Sequence, residues 1–256
     1  MSNVIVISDL SVNYGSNCVL SDISIKIKKG DFLGVIGPNG GGKTTFLRAI
    51  LGLVKPSSGS IILDAGSPPA RQPKIGYVAQ YTNFDRTFPI TVFDVVLMGL
   101  MDKSRLFFHR YTEEDKEETV RIMQQLDIAG LKERQIGQLS GGQMQKTLIA
   151  RTLLQKPDIL LLDEPTANMD AVSRTRIYDV LKDLNKEITI VVVTHDMSFV
   201  SSHVESIACL NKKLYYHGEP TLDETLVREV YGCNIDLIAH GVPHRVLGEH
   251  GVNDNV

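Results

Sequence analysis

The chain has 256 residues, 43% of them hydrophobic and 22% charged, which suits a globular protein with a sizeable core. Its 27 basic and 30 acidic residues give a formal net charge of -3, so bulk positive charge does not recruit a nucleic acid. Apolar runs such as residues 159–162 and 188–193 fall short of the ~20 residues a spanning helix needs, residues 1–4 lack the pattern of a secretory signal, and three scattered cysteines (Cys18, Cys209, Cys233) fit a reducing cytoplasm.

The opening stretch reads as β. Residues 4–9 alternate weakly, and Ile23, Ile25 and Ile27 alternate cleanly with polar neighbours. A turn at residues 28–31 leads into 32–36, an apolar run typical of a strand buried on both faces. A helix carrying Phe46, Leu47, Ile50 and Leu51 on one face should follow and stop at Gly52. Residues 55–59 read as a loop, and 61–63 and 75–79 as strands. From Thr91 to Leu154 the periodicity is mostly helical. Thr112 should cap a helix whose first turn carries Glu113, Glu114 and Asp115. Residues 131–138 are polar, and a further helix starts after Ser140 and stops before Pro157. The β texture returns at 159–162. Residues 172–184 then read as a helix, 188–193 as a strand, 206–210 and 213–216 as a small closing strand pair, and 222–230 as a short helix. The tail after Gly232 is rich in His, Gly and Asn and reads as frayed. The layout is an α/β core interrupted by a helical insertion.

Gly37, Pro38, Asn39, Gly40, Gly41, Gly42, Lys43 and Thr44 fit the pattern G-x-x-x-x-G-K-[ST], followed by Thr45. The strand before and the helix after supply the context this motif requires. Glycines let backbone N–H groups turn inward around phosphates, and the helix N-terminus adds positive potential. Lys43 can meet β- and γ-phosphates, and the Thr44 hydroxyl can ligate Mg²⁺. Residues 159–164 are the natural partner: an apolar strand delivers Asp163 to the Mg²⁺ edge, and Glu164 can polarise an attacking water. Taken singly, the first motif is also a glycine turn before a helix, and the second a buried strand ending in solvated acids.

Leu139, Ser140, Gly141, Gly142 and Gln143, lying between those two motifs, decide the class. In this order the set resembles the ATP-binding-cassette (ABC) ATPases, and the resemblance runs to about Tyr231. Tyr14 is similar to the aromatic that stacks on adenine, and Gln80 to the glutamine joining core and insertion. Ala167, Asn168, Met169 and Asp170 resemble the loop that communicates between subunits, and His195 the switch histidine. Tyr14 could equally pack without a ligand. The resemblance implies a P-loop core with an antiparallel β subdomain (residues 1–84 and 157–231), a helical subdomain (85–156) and a tail (232–256). It implies ATP as substrate and Mg²⁺ held by Thr44, Gln80 and Asp163. Catalysis would fall to Lys43, Gln80, Glu164 and His195. It also implies an ATP-bound homodimer in which Ser140–Gln143 of one subunit closes on the other's ATP. Gly41 stands where serine or alanine is usual, and Lys146 where arginine is frequent, which keeps charge but loses a bidentate fork.

A lone cassette with no membrane span resembles the ATPase subunit of an importer at the cytoplasmic face, docked on integral membrane permease subunits. Residues 84–99 and the tail 235–247 look like the zinc/manganese/iron(II) uptake subfamily, which works with a metal-binding solute-binding protein. An importer of another solute such as an iron chelate is the runner-up. A non-transport cassette protein and a nucleotide kinase are disfavoured: long coiled coils, a second cassette and positive charge are missing, and the Ser140 motif is present. Cys233, His240, His244 and His250 offer metal ligands, but their spacings match no strong zinc pattern.

Overall fold

The computed structural model describes residues 2–64, 72–80, 88–101, 111–167, 169–195, 202–219, 230, 237–240 and 242–245. The elements run β1 (Asn3–Tyr14), β2 (Asn17–Lys28), β3 (Phe32–Ile36), α1 (Lys43–Ile50), β4 (Ser58–Leu63), β5 (Ile75–Val78), α2 (Val92–Leu97), α3 (Glu113–Gln125), α4 (Gly141–Leu153), β6 (Ile159–Asp163), α5 (Ala171–Asn185), β7 (Thr189–Thr194), β8 (Ser206–Asn211), β9 (Lys213–Gly218), β10 (Leu237–His240) and β11 (Val242–Arg245).

Strands β3, β6 and β7 are buried at every residue, as their uninterrupted apolar sequences require. They sit inside a six-stranded sheet of order β5-β6-β7-β3-β8-β9. All its pairings are parallel except β8 with β9. Side chains alternate across a strand, so this sheet separates two cores. Phe32, Leu160, Leu162, Ile190 and Val192 face one core, with Val96, Met123, Ile149 and Tyr178 from α2 to α5. Leu33, Leu161, Val191 and Val193 face the other, with Phe46, Leu47 and Ile50 of α1 and Ile5, Ile7 and Leu20 of β1 and β2. The second core is closed by a three-stranded antiparallel sheet of order β2-β1-β4.

The local signals work as the sequence suggests. Thr112 and Asp115 form a reciprocal capping box on α3, with N–H to oxygen distances of 3.1 and 2.8 Å. Asp170, which the sequence reading placed only in the loop before this helix, accepts from the Ser173 N–H at 2.9 Å and caps α5.

Four expectations change. The strands at 4–9 and 61–63 are longer, because bulges near Asp9 let β1 curl across both neighbours. The expected closing pair is not a separate unit: β8 joins β3 in parallel and extends the main sheet. Residues 129–131 and 136–138, within the polar link before α4, are short 3-10 turns. The tail is not wholly frayed, since β10 and β11 pair as an antiparallel ribbon. Except for Val230, the helix expected at 222–230 lies outside the described residues, as do Asn168, residues 84–87, Cys233 and His250.

Candidate functional site

Strand β3 delivers the chain into α1 through residues 37–42. Gly37 admits no side chain, because a Cβ there would lie 1.9 Å from the Leu210 carbonyl oxygen of β8. Gly40 and Gly42 take φ angles of 77° and 93°, which favour glycine. At Gly41 an added Cβ would meet the Pro38 and Leu210 carbonyl oxygens at 3.0 and 3.1 Å, so the neighbouring strand favours the glycine that departs from the commoner serine or alanine. Gly42 caps α1 without a side-chain bond, and the first turn holds no acid. The first N–H groups of α1 are therefore left for an external anion.

Lys43 opens the helix, and its amine folds back on the carbonyl oxygens of Gly37 and Pro38 at 3.0 and 2.9 Å. Burial lowers its pKa, while the Glu164 and Asp163 charges oppose that shift. An ammonium has three N–H groups, so one remains for a phosphate even in this pose.

The two carboxylates stand at the end of β6. Thr44 Oγ1 donates to Asp163 Oδ1 at 3.2 Å, and the Tyr77 hydroxyl to Asp163 Oδ2 at 3.4 Å. Burial raises the Asp163 pKa, and the Thr44 hydrogen bond works against it. Hydroxyl and carboxylate oxygens so close are the hard donor set a Mg²⁺ ion takes. Glu164 adopts φ of 47°, a strained angle for a side-chain-bearing residue, and its N–H donates to the Val193 carbonyl at 2.9 Å. Gln80 Nε2 donates to Glu164 Oε2 at 2.9 Å, and His195 Nδ1 lies 3.2 Å from the same oxygen. Gln80, expected beside the cation, directs its amide nitrogen to Glu164, a bond that does not use the amide oxygen a cation would take.

Most of these residues border one cleft of about 600 Å³; Asp163 and Tyr77 stand outside its lining. Asn39, Gly40, Gly42, Lys43, Thr44 and Thr45 line it from the loop side. Gln80, Glu164 and His195 line the far side, and Tyr14 stands exposed at the rim. Gly37, Pro38 and Gly41 shape the loop from behind and are not in the lining. Ser140, Gly141, Gly142 and Gln143 are not in the lining either. They form the start of α4, where Ser140 Oγ accepts from the Gln143 N–H at 3.3 Å and Gln143 Oε1 from the Ser140 N–H at 3.1 Å. Met169 and Ser173 approach this turn.

Sequence reasoning missed Val19, which carries no chemical signal, and Tyr77; Ala167, expected only in the loop between subunits, completes the lining. Tyr77 becomes visible only from strand register: it pairs with Leu161, which shares a sheet face with Asp163.

A parallel sheet with a glycine loop, a lysine and a carboxylate at its carboxyl edge defines a P-loop nucleoside-triphosphate site. Comparison with known proteins narrows the class. The chain belongs to the ABC transporter family, whose sequence profile matches residues 20–167, and within it is an ATP-hydrolysing transporter subunit. It is 39% identical over 239 residues to the manganese transport system ATP-binding protein MntB of Listeria innocua, covering 92% of this chain and 99% of that one. It is 38% identical over 223 residues to the zinc uptake system ATP-binding protein ZurA of the same species, covering 85% and 86%. Among solved structures it is similar to an ABC transporter assigned to the metal-chelate type, in an inward-facing conformation, with a TM-score of 0.83, 27% identity and 96% and 97% coverage.

Proposed function

We propose that this chain hydrolyses MgATP to drive uptake of a divalent metal ion, zinc, manganese or iron(II), through separate integral membrane permease subunits. The carrying observation is the convergence of Lys43, Thr44, Glu164, Gln80 and His195 on one cleft, with Asp163 buried behind Thr44 and hydrogen-bonded to it. Likeness to manganese and zinc system subunits supports the cargo class. Among the described residues no helix is long and apolar enough to cross a membrane, which fits a subunit docked at the cytoplasmic face. A metal-binding protein outside would supply the permease. Residues 1–84 and 157–231 act as the catalytic core, 85–156 as the helical subdomain and 232–256 as the tail.

In this reading Lys43 turns from the loop carbonyls to the β- and γ-phosphates, and the open N-terminus of α1 receives the phosphate chain. Tyr14 stacks on the adenine. Thr44 and Asp163 hold Mg²⁺, which neutralises phosphate charge when bound. Gln80 and His195 share one oxygen of Glu164 at rest. An arriving γ-phosphate gives His195 a new acceptor, which frees Glu164 to take a proton from the attacking water. Ser140 of a second copy closes the site head to tail, so ATP favours the closed pair only because it binds that state more tightly.

The test is metal content in a strain lacking the gene, grown without metal and then given trace zinc, manganese and iron. Selective loss of one metal, restored by the intact gene but not by Lys43→Ala, is expected. Unchanged levels of all three, with no second uptake system present, would overturn the cargo; loss of chelated iron alone would favour the chelate importer.

A further inference from the structure

We propose that Tyr77 is a positioning residue of the nucleotide site, clamping the Asp163 carboxylate from the side opposite Thr44 and so setting the oxygen geometry that the cation of MgATP meets. This rests on the reading of Asp163 as a Mg²⁺ group.

The argument starts from register. Tyr77 of β5 pairs with Leu161 of β6, two residues before Asp163. Residues two apart on a strand share a face, so Tyr77 and Asp163 are diagonal neighbours on the α1 side of the sheet, within reach of a long side chain. Helix α1 closes the same corner. Thr44 and Arg48 are four apart and project from one helix face. Thr44 donates to Oδ1 of the carboxylate and Tyr77 to Oδ2. Each oxygen thus has its own donor, and the plane of the group is fixed.

An ionised carboxylate only accepts, so the Tyr77 hydroxyl gives its single proton to Asp163. Arg48 places its positive charge near the same pair. At 3.2 and 3.4 Å the two bonds to Asp163 exceed the ~2.7 Å of a settled hydroxyl bond, as hydrogen bonds in ligand-free sites often do before they tighten around substrate. The Tyr77 ring has separate support: it packs, partly buried, against the core that holds α1. Phenylalanine would keep that packing and lose only the hydroxyl.

Mn²⁺ is the probe, titrated by electron paramagnetic resonance against the full chain with a non-hydrolysable ATP analogue. Tyr77→Phe should weaken Mn²⁺ binding by about 10-fold, the scale for groups that orient a metal ligand. Metal-free nucleotide binding and the melting temperature should stay at wild-type values. The Mg²⁺ concentration for half-maximal hydrolysis should rise by the same factor. In an Asp163→Asn background, Tyr77→Phe should change nothing further. Wild-type Mn²⁺ affinity in Tyr77→Phe, or an undiminished effect in the Asp163→Asn background, would overturn the role of Tyr77 alone. If the wild-type chain binds Mn²⁺ no better with nucleotide than without, the underlying Mg²⁺ reading fails as well.

Discussion

The chain presents two helix N-termini that suit phosphate, and they are built in opposite ways. The first turn of α1 is left open: Gly42 at its cap offers no side chain, the turn itself carries no acid, and the cleft lies directly before it. The first turn of α4 is closed on itself by the Ser140–Gln143 capping box and lies outside that cleft. One end is prepared for an anion in the resting chain. The other is stable alone and still has its hydroxyl proton to offer, because Ser140 Oγ only accepts within the box. The two ends do not share one cleft within a single copy, which is why the proposed function needs a second copy to complete the site.

The contrast can be broken at either end. The largest effect should come from Lys43→Ala, which removes the charge that meets the phosphates. Phosphate release should fall by about 10³-fold with the fold retained, because developing charge loses its main protein partner. Glu164→Gln should come next, slowing hydrolysis by roughly 10²–10⁴-fold, the range for a general base. ATP binding should survive, so a closed dimer should accumulate and appear on size exclusion with ATP present.

Ser140→Ala sharpens the comparison. It should leave ATP binding by the single chain unchanged, since the cleft does not contain Ser140. Losing an N-cap costs about 1 kcal/mol, so melting should fall by roughly 2–4 °C. A change in single-chain affinity would place α4 inside the same cleft. The smallest effect concerns the price of the site. Burial holds the Asp163 pKa above its ordinary value, so the folded chain binds that proton more tightly than the unfolded one. The resulting stability is full at pH below the unfolded pKa and is lost as pH rises through the folded one. At neutral pH the ionised group is a cost, and Asp163→Asn without ligands should melt about 1–3 °C higher. Lower melting would show that Thr44 and Tyr77 more than offset the burial.

Most of this was legible in the sequence, for reasons that differ by residue. The loop of Gly37–Thr44 and the run ending in Asp163 announce themselves because the chemistry needs contiguous residues. Strands β3, β6 and β7 were plain because burial on both faces demands unbroken apolar runs. Thr112 was plain because a cap and its acids are local. Tyr77 was hidden because its role depends on a partner 86 positions away and on the pairing of β5 with β6. Gly37 looked like one more loop glycine; the approach of the Leu210 carbonyl shows why no side chain fits. The place of β8 was misjudged because a parallel pairing with a distant strand leaves no mark on its own six residues.

The most direct test of the two-copy site is mixing. Lys43→Ala and Ser140→Ala chains are each purified and shown to be slow in phosphate release, then combined in equal amounts. In a head-to-tail pair, one of the two sites joins the intact loop of the Ser140→Ala chain to the intact Ser140 of the Lys43→Ala chain. Hydrolysis should therefore rise well above the sum of the separate activities. If the mixture gives only that sum while size exclusion shows mixed dimers, loop and signature act within one chain and the two-copy site is wrong.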